Sequence, residues 1–220
     1  MSKKLVWDDI QTKAKKDGEL EYAFDQDRPV EKRGLIEPEN GYCVGLTLRW
    51  IALRFRGKDY EYDAAKREGL KSEYQALRCQ YISRETEGGV LARAEAVLRY
   101  FGIATNRGRY TKTLRAVSAD ILVNATFAGD GLYYVEMRGT DDKGNPHAHA
   151  LAIQREGHGA VYRLFDSNEG HFVLKGTDRF KAFMDWFLNT RPYNDPSRFT
   201  PYSKEYLTGT WIVGVNAPAR

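Results

Sequence analysis

The sequence predicts an α+β fold, a mainly helical first half followed by an antiparallel sheet. Three observations predict it. Apolar residues between Val44 and Phe101 recur at helical spacing, the period falls to two beyond Gly129-Asp130-Gly131, and the clusters Asp141 to Asn145 and Gly157-His158-Gly159 cut that second part into hairpins. A chain of 220 residues with 42% apolar content can build one good core, or two lobes that share a cleft. We read residues 1–38 as an arm or cover and 39–220 as a single domain, with a helical lobe over about 39–128 and a sheet lobe over about 129–220.

The first segment is charged and short of apolar periodicity apart from Leu5, Val6, Trp7 and Ile10, which is why it reads as an arm. Turn chemistry at Asn40 and Gly41 then opens a helix with Val44, Leu48, Ile51 and Phe55 on one face and Leu46, Trp50 and Leu53 on a second. Such a helix is expected to be buried nearly all round, and Gly57 is its stop. Asp63 caps the next helical pattern, Ala64 to Glu68, which runs on through Tyr74, Leu77 and Tyr81 with a break at Gly69. Val90, Leu91, Ala94, Val97, Leu98 and Phe101 form another, ended by Gly102, and Ser118 caps a short helix carrying Ile121, Leu122 and Ala125.

Beyond it Leu132 to Met137 is a strand, His147 to Arg155 its return, Val161 to Phe165 the next and His171 to Leu174 the fourth, an antiparallel meander. A helix from Asp178 or Arg179 to Leu188 presents Phe180, Phe183, Met184 and Phe187, with Pro192 beyond its end, and Thr210 to Val215 supplies a last strand.

The 34 basic and 30 acidic side chains leave a formal charge of +4, a mixed surface too weakly basic to specify a nucleic-acid partner. Arg107, Arg109, Lys112 and Arg115, with Tyr110 between them, are the one local basic cluster and read as a solvated loop. No run approaches the length of a membrane span, and the start turns charged before an apolar signal segment can form. A Sec-exported precursor is therefore not expected, and the chain is read as cytoplasmic in the cell that makes it. Cys43 and Cys79 do not make a secreted disulfide framework, and both read as reduced thiols.

Cys43 sits at the mouth of the first apolar helix. A thiol in a first turn faces unpaired backbone N–H groups and the positive end of the helix dipole, which favour the thiolate. Free cysteine is also a common core residue, so its position has to be joined by a base. Strand alternation puts His147, His149, Leu151 and Ile153 on one face, and Asp166 ends the following strand. The tight turn at Gly157 to Gly159 folds Asp166 back beside His149, where a carboxylate fixes the imidazole tautomer and stabilises the imidazolium. Each member has an ordinary alternative. Asp166 in Asp-Ser-Asn-x-Gly suits an Asx turn, and His149 suits a satisfied core histidine. His147 and His149 can also share a metal ion completed by His158, His171 or Asp166, although no strong zinc spacing is present.

Gly41-x-Cys43 leading into Leu46, Trp50 and Ile51, then His149-Ala150-Leu151-Ala152, then Phe165-Asp166-x-Asn168-x-Gly170-x-Phe172, resembles the YopT/AvrPphB family of bacterial effector cysteine proteases. The similarity runs from about Asn40 to Phe172, with Ser167 where the family often has proline and His147 as a second histidine. The resemblance implies a papain-like fold, in which an N-terminal helical lobe carrying the nucleophile helix packs against an antiparallel sheet. It implies Cys43 as nucleophile, His149 as general base and Asp166 as the group that orients it. Asn40 is then the nearest polar side chain to join the Cys43 backbone N–H in an oxyanion hole. No cofactor and no metal is needed. An effector or toxin of this kind is delivered by a specialised secretion system and acts on a protein of the target cell, or processes itself.

Two other classes stay beside a protease. The same triad serves glutamine deamidation, acyl transfer or cleavage of cell-wall peptides, and the same fold can serve as a binding module with a silent triad. The presence of all three groups weakens the last.

Overall fold

The computed structural model describes residues 3–23, 43–57, 75–113, 117–140, 146–190 and 207–216. In chain order they form α1 (Lys3–Lys16), β1 (Leu20–Ala23), α2 (Cys43–Phe55), a helix over 75–85 that we label α3, α4 (Val90–Tyr100), β2 (Thr105–Thr113) and α5 (Ala119–Thr126). β3 (Gly131–Thr140), β4 (Pro146–Glu156), β5 (Val161–Asp166), β6 (Gly170–Lys175), α6 (Thr177–Thr190) and β7 (Leu207–Asn216) follow. Ser118 caps α5 as its sequence position suggests, its Oγ accepting the Ile121 N–H at 3.3 Å.

Among these residues the strands form one antiparallel sheet in the order β1-β6-β5-β4-β3-β7-β2. Short connections force antiparallel neighbours, which is why β3 to β6 lie side by side as the expected meander. The turn between β4 and β5 is a 3₁₀ segment, Gly157–Gly159, with His158 at φ 57°. The Asp130 carboxylate holds it, accepting the His158 N–H at 3.0 and 2.9 Å and an Arg155 N–H at 3.1 Å. This fixed turn sets a register in which Leu151 faces Asp166.

Alternation sends the two faces of the sheet to separate cores. Tyr133, Val135, Met137, Leu151, Ile153, Leu164 and Phe172 meet α1, α5 and α6 on one face. Leu132, Tyr134, Ala150, Ala152, Phe165 and Val213 meet α2, α3 and α4 on the other. The small side chains of Ala150 and Ala152 let α2 lie close on β4, where Thr47 Oγ1 donates to the Ala150 carbonyl at 3.1 Å. From Cys43 through Ala52 every residue of α2 is buried, and Trp50 stacks on Phe165 with ring centres 5.7 Å apart. The all-round apolar pattern therefore records a helix covered by the sheet on one side and by α3 and α4 on the other.

Gly45 sets the approach of α3. A Cβ there would lie 2.1 Å from the Ala76 carbonyl oxygen and 3.1 Å from the Gln80 nitrogen, both backbone atoms. Gly45→Ala is therefore expected to lower stability by about 2 kcal/mol, the scale of an overpacked core, read as a lower urea midpoint with an unchanged slope. A wild-type midpoint would mean that the two helices separate without cost.

Within the segment expected as an arm or cover, residues 3–23 form α1 and β1. Ile10 and Ala14 are fully buried, and β1 pairs with β6 at the sheet edge. A four-residue strand and a highly charged helix carry little periodic signal. What fixes them is distant: Arg179 of α6 binds Glu19, with Nη2 to Oε2 at 2.6 Å, and reaches Asp17 at 3.2 Å. The basic stretch expected as a loop is strand β2, paired with β7 on the opposite edge. A register shift between Asn106 and Tyr110 breaks its alternation, and Arg107 is drawn to Glu95 of α4 at 2.8 and 2.9 Å. Charged side chains and a bulge are how an edge strand avoids further pairing, and they also hide it from a periodicity search.

The Asp63 cap, the break at Gly69, the 141–145 connection, Arg115 and Pro192 lie outside the described residues. No helix among the described residues is long and apolar enough to cross a membrane.

Candidate active site

Cys43 is the first residue of α2, where a helix offers N–H groups that have no partner within it. It is buried to 3% exposure, and its sulfur lies 3.9 Å from the Ala148 carbonyl of β4. One of the first-turn groups, the Gly45 N–H, donates to Gln80 Oε1 of α3 at 2.9 Å. α3 thus caps the helix from outside, through a residue that sequence reasoning missed. The partners are 35 positions apart, and capping rules read only the residues adjoining a helix.

His149 stands two positions before Leu151 on β4, and Asp166 faces Leu151 from β5. The diagonal between them is closed by a hydrogen bond of 2.9 Å from His149 Nε2 to Asp166 Oδ2. The other carboxylate oxygen, Oδ1, accepts the Asn168 N–H at 2.8 Å. The Asx turn and the imidazole contact, alternatives in the sequence, coexist because each takes one oxygen. Both residues are buried, at 1% and 0% exposure. Nε2 is engaged by Asp166, and Cys43 lies close enough to the imidazole to favour its protonated form. Burial opposes an imidazolium here, but the charge and hydrogen bond of Asp166, with the contact to Cys43, outweigh it and raise His149 to about 9. An imidazole held between a thiol and a carboxylate can take the thiol proton and keep the resulting charge in a site closed to water.

The remaining candidates are dispersed. His158 is in the β4–β5 turn, and His171 lies on β6 against the edge of the Trp50 ring, with centres 5.4 Å apart. Burial, with Arg163 and Arg54 nearby, lowers His171 to about 3. Among the described residues no three His, Cys, Asp or Glu side chains gather as a metal site. Asn40 lies outside the described residues, as does the side chain of His147. Sequence reasoning also missed Glu136 on β3, a buried carboxylate bound by Arg93, Arg138 and Tyr134. Its signal was a lone acid in an otherwise apolar strand.

The two thiols are expected to differ sharply. Cys79, on α3, is fully buried in the core, and burial pushes it up to about 12. Cys43 alone has an imidazole to take its proton. Competitive alkylation of the folded protein at mildly acidic pH, followed by mass spectrometry, should modify Cys43 first by at least about 100-fold, because the thiolate is the reacting species. Equal rates would remove Cys43 as a nucleophile.

No family model matches the chain, and no curated protein matches it in sequence. Solved structures do match in shape. The Pseudomonas avirulence protein AvrPphB superposes with a TM-score of 0.55 at 16% identity, over 80% of this chain and 91% of that one. PatoxP, a cysteine protease-like domain of the Photorhabdus asymbiotica toxin PaTox, superposes with a TM-score of 0.51 at 11% identity, over 96% of this chain. This chain spans 59% of that second structure. The fold is thus the papain-like arrangement of helices and antiparallel sheet that the resemblance implied.

Proposed function

We propose that the chain is a cysteine protease in which Cys43, His149 and Asp166 form the catalytic triad. The observation that carries this reading is the line of contacts from the thiol at a helix N-terminus, through a buried imidazole, to a buried carboxylate. His149 Nδ1 takes the Cys43 proton, and the sulfur attacks a peptide carbonyl carbon, moving the C=O electron pair to oxygen. The backbone N–H of Cys43 faces that oxyanion, with Asn40 as a proposed second donor. Collapse reforms the carbonyl and breaks the C–N bond, and His149 delivers its proton to the leaving amine. Water, deprotonated by the same ring, then cleaves the thioester and frees the acid and the thiol. Asp166 holds Nε2–H throughout and stabilises the imidazolium.

Resemblance to an avirulence protein and to a toxin domain supports an effector or toxin acting on a protein of another cell. Delivery by a specialised secretion system belongs to that reading. The test is to incubate the protein and its Cys43→Ala form with a lysate of the target cell and compare protein termini. New termini made only by the wild type are the expected result. Mass gains of one unit at glutamine without new termini would replace proteolysis by deamidation on the same triad.

A further inference from the structure

Asp166 is the end rung of two ladders. It is the last residue of β5, paired with Leu151 of β4 on one side and with Gly170, the first residue of β6, on the other. Its carboxylate reaches past the Leu151 pair to His149. Strand ends open more readily than strand middles, yet the group that orients an imidazole has to be held within a fraction of an ångström.

The turn at 167–169 is built in part on Asp166 itself. Its Oδ1 accepts the Asn168 N–H at 2.8 Å, and its carbonyl accepts the Glu169 N–H at 3.2 Å. Two further contacts reach this turn from the start of the chain. Ile10 and Ala14, four positions apart on α1, sink one face of that helix into the core. Gln11 lies on the flank of that face, and its Nε2 donates to the Glu169 carbonyl at 2.9 Å across 158 positions. β1 closes on the other end of the turn. Gly170 has φ 139°, and a Cβ there would lie 2.1 Å from the Tyr22 carbonyl oxygen and 3.2 Å from the Ala23 Cα. A glycine meets both demands, the positive φ and the close approach of a second backbone. β1 is fixed in turn, since the Val173 N–H donates to the Glu19 carbonyl at 2.8 Å and Arg179 holds the Glu19 carboxylate.

The glycine of Phe165-Asp166-x-Asn168-x-Gly170-x-Phe172 thereby acquires a reason. It is the point where β1 rests on the hairpin end that carries the acid, and a displacement of Gly170 passes to Asp166 through a single rung.

We infer that α1 and β1 belong to the catalytic apparatus: Gln11, on the Glu169 carbonyl, and Gly170, under the Tyr22 backbone, are positioning residues that hold Asp166 against His149. Neither is asked to touch substrate. The kinetic part of this inference rests on the protease reading, whereas the effect on His149 does not, so the two fail separately.

The experiment follows the ring titration of His149 by NMR in protein with labelled histidine, beside kcat and KM on a peptide from the identified target. Wild-type His149 should titrate near 9, raised by Asp166 and Cys43 against its burial. Gln11→Ala removes the donor and leaves the buried face of α1 intact. The His149 midpoint should fall by about half a unit and kcat by about fivefold with little change in KM, the weight of one ordinary hydrogen bond. Gln11→Lys, whose ammonium can still donate to the Glu169 carbonyl, should recover most of both. Gly170→Ala should lower kcat by about 100-fold, the scale of a 1 Å misplacement in an active site, and if it does not fold the two Gln11 variants decide. A folded Gln11→Ala protein with the wild-type His149 midpoint would overturn the inference, whatever its rate. So would a Gln11→Lys protein no better than Gln11→Ala, or a folded Gly170→Ala protein with the wild-type rate. If the wild type turns over no peptide while the Gln11→Ala midpoint still falls, the protease reading fails and the positioning of Asp166 stands.

Discussion

Cys43→Ala and His149→Ala are each expected to abolish turnover, lowering kcat by about 10⁶-fold, the scale on which a serine protease loses either its nucleophile or its base. The two act as one unit, so the double variant should be no worse than either single one. Among the described side chains neither of the other histidines stands beside the thiol, since His171 lies against Trp50 on β6 and His158 sits in the β4–β5 turn. Steady-state rates on a peptide drawn from the identified target measure both, with thermal melts as the check on folding. Turnover above about 1% of wild type in a folded Cys43→Ala protein would transfer the chemistry to another residue, because a missing nucleophile leaves only the far weaker catalysis of binding and oxyanion contacts.

Asp166→Asn should cut kcat by about 10⁴-fold with little change in KM, the scale of the corresponding change in serine proteases. An asparagine can still accept the Asn168 N–H, so the turn survives. Its amide NH₂, turned toward Nε2, forces that nitrogen to accept and moves the ring proton to Nδ1, where it blocks transfer from Cys43. The pH profile separates this from simple misfolding. Burial by itself lowers His149, and the Asp166 charge and hydrogen bond raise it to about 9. Wild-type kcat/KM should therefore be lost as pH rises through about 9, where the imidazolium deprotonates. In Asp166→Asn that alkaline limb should move to lower pH, because the group that raised the pKa is gone. A variant with the wild-type rate and limb would leave Asp166 as a turn residue only.

The parts of this molecule that could be read from its sequence are those whose cause is local. Helix α2 is legible because its burial on all sides writes apolar residues on more than one face, at Val44, Leu46, Leu48, Trp50 and Ile51. The approach of Asp166 to His149 is legible because two alternating strands and a glycine turn leave few registers. The elements with no local signal owe their form to distant partners. The turn that joins α1 to β1 is held by Arg179 across about 160 positions, and β2 is a strand only because β7 returns beside it. Gln80 and Glu136 were invisible for the same reason: each acts on a group brought near by folding, the Gly45 N–H in one case and two arginines in the other.

Those separations also put the protein on a schedule. The Cys43 sulfur meets β4 across 105 positions, and Glu19, just after α1, is tied to α6 across 160. A chain leaving the ribosome N-terminus first presents Cys43 long before β4 exists. During that interval the thiol has no imidazole beside it, and the two apolar faces of α2 have nothing to cover. The β3–β6 meander can form early because its contacts are short-range, whereas docking α2 on it must wait for a large loop to close. The nucleophile is therefore completed late in the making of this fold. Nascent chains carry an ordinary cysteine, and after any unfolding the reactive one returns only as fast as that loop can close again.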